Sequence, residues 1–473
     1  MGGTAVRRRS AGKTDRGARG VALDLIQDAG RRGVRLDERL RGCEARKSLD
    51  AKDQAFVREL AYGTLRWRGR LDLALSHCLS GSAEKLPPVV LNVLRLGAYQ
   101  ILFTDRIPPW AAVNEAVGQV RARGFAGLAG LVNGVLRRLA REAERWRRTE
   151  DAAPPKDADA LADAESHPRW MVRRWARRWG LEGAVRVCRA NNAAGPLTLR
   201  VNRRRSTPEA LEAALRSAGA EVARGRISSE VLIVRGGGGV RTLPGFRDGW
   251  FAVQDEAAAL MAPLLGVRPG ERVWDVCAGP GGKTAHLAEL MEDEGRLLAT
   301  DPHRTRLARV VENARRMGLR SVSPVRGGMD VARGEAFDAV LVDAPCSGLG
   351  VLRRHPEAKW NKTEADILRL SELALKILGT ASRAVRRGGE LLYCVCSLEE
   401  EEAGRVVQAF EQSAEGARFQ REDLSARLPD GLSSARRFVD RSGCFALRPG
   451  DAGTDGFFAA GWRRISPEDR RSE

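Results

Sequence analysis

The chain has 473 residues, of which 43% are hydrophobic and 30% charged, the composition of a globular protein long enough for two or three domains. Its 80 basic residues exceed 61 acidic ones, for a net charge of +19, which argues for a polyanionic partner such as nucleic acid and says nothing of the fold. The basic, Gly-rich N-terminus lacks the apolar stretch of a secretory signal, no run of about 18 apolar residues marks a membrane span, and eight irregularly spaced cysteines outline neither a disulfide framework nor a zinc site. A cytoplasmic protein without a metal or a membrane partner is expected.

Residues 1–17 are expected to be a basic disordered tail. Residues 18–145 read as helix throughout. Asp50 is placed to cap a helix carrying Phe56, Leu60 and Leu65 at helical spacing, and Pro87-Pro88 opens another with Val89, Val93, Leu96 and Ile101. Pro108-Pro109 breaks that helix ahead of Ala112–Arg123, and Leu128–Leu139 forms the last, with Arg137, Arg138 and Arg141 near its end. A helical bundle follows. The Ala-, Asp- and Pro-rich stretch at 146–165 reads as a flexible or partly helical linker.

Residues 166–245 read as a small α+β subdomain. It begins with a helix in which Trp170, Trp175 and Trp179 interleave with Arg173, Arg174, Arg177 and Arg178. Such a helix packs with a solvated charged face, and its arginines also suit phosphate contact. An extended Leu197–Asn202 precedes a helix opened by Thr207-Pro208, and Val231–Val234 is a short strand. From 246 to 466 strands and helices alternate, which predicts a mostly parallel sheet with helices on both faces and a site at the strands' carboxyl ends. Residues 467–473 are a tail.

Within that last domain, Asp275-Val276-Cys277-Ala278-Gly279-Pro280-Gly281-Gly282-Lys283-Thr284 leaves a strand and opens a helix. Its glycines let the backbone approach a ligand, and free N–H groups at a helix start attract a carboxylate. The spacing fits neither a phosphate-binding P-loop nor a dinucleotide fingerprint. Asp301 ends the next strand, Asp330 follows the third and Asp343 ends the fourth; acids at successive strand ends suit hydrogen bonds from ribose hydroxyls. Lys283, one of nine lysines in an Arg-rich chain, is either a surface side chain or a compact ammonium kept beside the loop.

Two cysteines sit 50 residues apart, in Asp343-Ala344-Pro345-Cys346-Ser347-Gly348 and Tyr393-Cys394-Val395-Cys396-Ser397. A reactive thiolate, a second cysteine and a nucleotide-type loop suit methylation of a pyrimidine ring carbon: sulfur adds to carbon 6, carbon 5 takes a methyl group, and sulfur is then eliminated. Glu399–Glu402 are expected to occupy the first turn of a helix, whose positive end would lower the pKa of Cys396. Cys43, Cys78, Cys188 and Cys394 are expected to be buried and inert.

These motifs resemble the NOL1/NOP2/Sun family of RNA cytosine-C5 methyltransferases. Gly249–Asp255, Arg353–Trp360 and Asp455–Phe458 extend the resemblance, while Leu94–Gln100, Val113–Val117 and Asn133–Arg138 are similar to a NusB-type helical domain. Gly279 stands where the family usually has alanine and Val395 where it usually has threonine. The resemblance implies a NusB-like bundle, a small α+β subdomain and a Rossmann-like catalytic domain. It implies S-adenosylmethionine as methyl donor and 16S ribosomal RNA, free or partly assembled, as substrate for a monomeric enzyme. Cys396 would be the nucleophile, Cys346 would assist release of the RNA, and Asp343 would contact the cytosine, beside Lys283. Cys277, Ala278, Gly279, Pro280, Gly281, Gly282 and Lys283 would line the cofactor site with Asp301, Asp330 and Asp343. The same chemistry on transfer RNA, or a non-catalytic RNA-binding antitermination factor, are the competing readings.

Overall fold

The computed structural model describes residues 17–31, 34–46, 49–147, 155–332 and 336–465. The expected tails at 1–17, except Gly17, and 467–473 lie outside these residues, as does the centre of the expected linker, 148–154. The chain forms two compact units, one made of residues up to Asn192 together with Leu352–Lys362, the other of Ala193–Val351 and Thr363 onward.

The first unit is helical. Its main helices are α1 (Ala18–Ala29), α2 (Leu36–Arg46), α3 (Ala51–Arg66), α4 (Arg68–Cys78), α5 (Pro88–Phe103), α6 (Pro109–Ala122) and α7 (Ala129–Arg141). The sequence sets their starts: the Asp50 carboxylate accepts from the Asp53 N–H at 2.7 Å, and Pro88 and Pro109 occupy first turns, where a missing N–H costs nothing. Helix α5 is apolar almost all round and lies in the core, with Val90, Val93, Leu94, Ala98 and Ile101 buried. Gly97 lets α7 approach it closely, since a Cβ there would meet Leu136 at 2.6 Å.

The helix Arg169–Asn192 is broken at Gly180, whose φ is 71°. Trp175 is buried edge-on to His167, whereas Arg173 and Arg177 are exposed; the two residue types separate only in part, because Trp170 and Trp179 are half-buried and Arg178 lies 5.2 Å over the Trp179 ring. Arg173 is held by Asp159 at 2.7 Å, on a helix (Ala158–Ala164) inside the expected linker. The end of that linker is not flexible surface: Glu165 is buried and accepts from Arg189 and Asn192, which gives its charge partners inside the fold.

Leu352–Lys362 completes this unit. Lys359 is fully buried, and its Nζ donates to Asn192 Oδ1 at 2.6 Å and to the carbonyl oxygens of Arg66 at 3.2 Å and Ser166 at 3.3 Å. Burial drives its pKa well below the ordinary lysine value. Trp360 donates to the Leu65 carbonyl at 2.6 Å, and Glu357 accepts from the Leu36 N–H at 3.1 Å.

The second unit holds two sheets. The smaller contains β1 (Leu197–Val201), β2 (Ala220–Arg224), β3 (Val231–Gly236) and β4 (Phe251–Val253) in the order β2-β3-β1-β4, all antiparallel. The helix Pro208–Ser217 is capped by Thr207, as its sequence predicts. The larger sheet contains β5 (Arg272–Asp275), β6 (Arg296–Asp301), β7 (Val322–Arg326), β8 (Phe337–Asp343), β9 (Val385–Val395), β10 (Phe419–Glu422), β11 (Phe445–Leu447) and β12 (Phe457–Arg464). Its order is β10-β12-β9-β8-β5-β6-β7, with β11 also on β12. Strands β5 to β9 pair in parallel, while β12 runs antiparallel to both β9 and β10. The strand order reverses between β5 and β8, where open α/β sheets place their ligands.

The two sheets are tied by a buried ion pair. Arg200 on β1 donates to Gln254 at 2.8 Å and, through both terminal nitrogens, to Glu289 (one contact at 2.8 Å), on the helix Gly282–Leu290 that begins at the Gly-rich loop. Both side chains are at most 4% exposed, so the pair fixes this helix through charges that water does not screen.

Replacing Lys359 by methionine keeps the chain's length but leaves three buried oxygens without their donor, at about 1–3 kcal/mol each. Calorimetry of Lys359→Met should show the helical unit melting several degrees lower; an unchanged transition would contradict the buried role of this ammonium.

Candidate active site

Four strand ends of the larger sheet carry the candidate site, three of them with residues that the sequence singles out. Asp275 ends β5, Asp301 ends β6, Asp343 ends β8, and Cys396 follows β9. Asp330 is exposed in the turn beyond β7.

The loop after β5 turns at Gly281, which has φ 99°, a conformation that glycine reaches without strain. Ala278 donates to the Thr300 carbonyl at 2.9 Å and Gly281 to Ala278 at 2.7 Å. The helix Gly282–Leu290 then starts with no side-chain cap, so its first N–H groups are available as donors to an anionic ligand. Asp301 is 3% exposed and anchors the loop: Oδ2 accepts from the Gly279 N–H at 3.2 Å and Oδ1 from the His303 N–H at 2.8 Å. The glycine at 279 has a local reason. A Cβ there would lie 2.6 Å from Asp301 Oδ2 and 2.5 Å from Arg306 Cβ, so an alanine would require this carboxylate and Arg306 to move.

Lys283 sits on the same helix with its Nζ 2.7 Å from Asp343 Oδ2 and 4.9 Å from the centre of the Phe457 ring. Its side chain is 12% exposed, so it is not a surface lysine. Burial works against its charge, but Asp343 first, then Cys394 and Cys396, more than offset that and push its pKa up. Asp343 also accepts from the Cys394 thiol at 3.5 Å. Burial and the Asp343 carboxylate together keep Cys394 protonated, and burial with Asp343, Asp275 and Asp301 does the same for Cys277.

The Cys346 and Cys396 sulfurs are 3.4 Å apart, and both residues are half-buried. The hydrogen bond between them, followed by burial, raises the pKa of Cys346 well above the ordinary thiol range, so this thiol keeps its proton. The expected helix after Cys396 is absent: Glu399 to Ala403 form turns and the helix begins at Gly404. The physical reason is Glu402. It is fully buried, and its carboxylate accepts from the Ser347 N–H and the Ser347 hydroxyl, both at 2.5 Å. The nearby positive charge comes from Lys283 rather than from a helix end.

Sequence reasoning missed several of these partners. Glu402 is one of four consecutive glutamates, and nothing local marks it as the buried one. Ser347 and Ser397, each directly after a cysteine, have hydroxyls 3.2 Å apart and tie the two cysteine segments together. Asp275 could have been found, because it ends a strand as Asp301 and Asp343 do. It is fully buried and accepts from Thr284 at 2.7 Å through one oxygen, while the other has no hydrogen-bond partner among the described residues. Of the four cysteines expected to be buried and inert, Cys78, Cys188 and Cys394 are buried, Cys394 with a bond to Asp343; the side chain of Cys43 lies outside the described residues.

Burial raises the Asp275 pKa from 3.8 to about 7, against the opposing Thr284 hydrogen bond. A carboxyl with a raised folded-state pKa binds more protons folded than unfolded, so its stabilising contribution is present at low pH and is lost as pH rises from about 4 to about 7. The loss is on the order of 4 kcal/mol. Denaturant titrations across this range should show Asp275→Asn gaining stability relative to the parent as pH rises; a difference independent of pH would contradict the buried neutral carboxyl.

The comparisons with known proteins agree with this architecture. Residues 262–463 match the profile of the 16S rRNA methyltransferase RsmB/F, residues 167–241 that of the RsmF/B-like ferredoxin-like domain, and residues 16–141 that of the NusB family. The chain is 36% identical over 433 residues to a probable ribosomal RNA small subunit methyltransferase B of Bacillus subtilis (strain 168), covering 88% of this chain and 92% of that relative. Among solved structures it resembles PH0851, with a TM-score of 0.76 and 25% identity over 94% of this chain and 98% of the other. It also resembles a methyltransferase homologue from Pyrococcus horikoshii, with a TM-score of 0.54 and 26% identity, covering 64% and 98%.

Proposed function

Because the chain belongs to the RsmB/F family of 16S rRNA methyltransferases, we propose that it methylates carbon 5 of a cytosine in small-subunit ribosomal RNA through a covalent cysteine adduct. The observation that carries this reading is the 3.4 Å cysteine pair beside the Lys283–Asp343 ion pair, at the carboxyl end of the sheet.

S-adenosylmethionine supplies an electrophilic methyl group when bound. The residues fit it. The uncapped start of the helix Gly282–Leu290 offers N–H donors of the kind a carboxylate needs, and each Asp301 oxygen, bonded to one backbone N–H, keeps a lone pair for a ribose hydroxyl. Cys277–Lys283, Asp301 and Asp343 would line this site, with Asp330, exposed in the turn beyond β7, at its margin.

Carbon 5 of cytosine is a weak nucleophile. The Cys396 thiolate adds to carbon 6, which makes carbon 5 electron-rich enough to take the methyl group. Asp343, fixed by Lys283, contacts the ring and stabilises the adduct. Resolution requires the carbon 5 proton to leave and the carbon–sulfur bond to break. Cys346 holds a proton 3.4 Å from the sulfur that must depart. It passes this proton to Cys396 as the bond breaks and takes up the one from carbon 5, so that the ring regains its aromatic electrons and Cys346 is again a thiol; Cys396, which attacked as a thiolate, releases its proton to solvent before the next turnover. The positive net charge favours the RNA backbone, and the target base is drawn out of its stack into the site.

The test is methyl transfer to 16S rRNA lacking the modification, read by bisulfite sequencing. Cys396→Ala should abolish turnover, and Cys346→Ala should accumulate a protein–RNA adduct that survives denaturing electrophoresis. Turnover by the first variant, or wild-type turnover without an adduct in the second, would sink the assignment.

A further inference from the structure

We infer that the helical unit carries a subsite for one unpaired RNA nucleotide, built from Trp110 on α6 and two arginines on α7. The inference rests on the reading of the chain as an RNA-modifying enzyme and names a contact outside its catalytic machinery.

Trp110 is 69% exposed, the most exposed large apolar side chain among the described residues. Its position explains why the core does not absorb it. Pro109 starts α6, and the buried face of that helix runs through Ala112, Val113, Ala116 and Val120, which leaves the indole in the first turn off that face. Beside it lies a pocket of about 260 Å³, lined by Trp110, Val113, Asn114, Arg137, Ala140 and Arg141 among others. The lining contains two guanidinium groups, an amide and an indole, and no carboxylate.

Arg138 is paired with Glu142 at 3.0 Å, as many surface arginines here are paired with acids. Arg137 and Arg141 are exposed, lie one turn apart, and form no ion pair among the described residues. Two uncompensated guanidiniums one turn apart are spaced to hold neighbouring phosphate oxygens, and they add to the counterion release that drives RNA binding. An exposed indole offers a face on which any base can stack, and the Asn114 amide can donate to and accept from a base edge. An aromatic platform flanked by unpaired cations in a concave site without acids is complementary to a nucleotide. It is poorly suited to an acidic ligand without a ring or to an apolar helix.

The experiment measures binding of the full chain to a fluorescein-labelled single-stranded RNA dodecamer by anisotropy, and in parallel the KM for 16S rRNA. Because Trp110, Arg137 and Arg141 are exposed, their variants should melt with the parent, which the same preparations verify. Trp110→Ala should weaken oligonucleotide binding about tenfold and raise KM similarly with kcat unchanged, whereas Trp110→Phe should stay within about twofold. Arg137→Gln with Arg141→Gln should weaken binding and reduce the slope of log affinity against log salt by about 1.4. Adenosine monophosphate at millimolar concentration should not displace the RNA, because the subsite holds one nucleotide of a longer strand whose other contacts lie elsewhere; displacement would show a site for free mononucleotides and overturn the assignment to RNA. Binding unaffected by Trp110→Ala, or weakened equally by the Phe variant, would overturn it too, as would a protein rather than an RNA found crosslinked at residue 110. If the oligonucleotide results hold while no rRNA is methylated, the catalytic reading fails and the subsite stands.

Discussion

The pairing of β8 with β9 is the constraint on which the catalytic arrangement depends. These strands run in parallel at the middle of the sheet, with Asp343 opposite Cys394. The pairing continues past the strand ends, where Ala344 donates to the Cys394 carbonyl at 3.0 Å and Gly350 to the Cys396 carbonyl at 3.0 Å. That run carries the Cys346 loop alongside Cys396. Gly350 has no room for a side chain, because a Cβ would come within 2.4 Å of the Gly456 carbonyl and 2.9 Å of that of Cys396. A shift of one residue would turn Asp343 or Cys394 to the opposite face of the sheet and separate the pair. The antiparallel β12 then pairs with the far side of β9 and presents Phe457 to Lys283.

Around that register the site sorts its protons. Lys283 is a buried cation among carboxylates and thiols, held charged by Asp343. Cys394, Cys277 and Cys346 are held in their neutral forms by burial and by neighbouring acids. Glu402 is pushed upward by burial but receives hydrogen bonds from Ser347, so it acts as a brace between the two cysteine segments. Opposite tendencies within one small region are what chemistry at neutral pH requires.

Much of this was legible in the sequence. Elements whose ends carry caps, such as Asp50 ahead of Ala51–Arg66 and Thr207 ahead of Pro208–Ser217, fall where their chemistry places them. The strand-ending aspartates and the loop glycines were visible because parallel α/β sheets put function at strand ends. The long-range terms were not. Four glutamates in a row look like a helix start, and only the approach of Ser347, 55 residues earlier, makes Glu402 a buried acceptor. Lys359 reads as an ordinary surface lysine until its three oxygen partners, supplied by Arg66, Ser166 and Asn192, are seen to surround it. The antiparallel edge of the large sheet is joined to the rest by the pairing of β12 with β9, segments more than 60 residues apart, which hydrophobic alternation does not encode.

The central claim is that the two cysteines, although 3.4 Å apart, have different roles. The most direct test is to trap the unmodified enzyme on target RNA containing 5-azacytosine, whose ring accepts the thiolate but resists its elimination. The trapped peptide is then identified by mass spectrometry after nuclease and protease digestion. The account predicts the nucleotide attached to Cys396 in the peptide that follows β9. Attachment to Cys346 would reverse the roles assigned here and contradict the account.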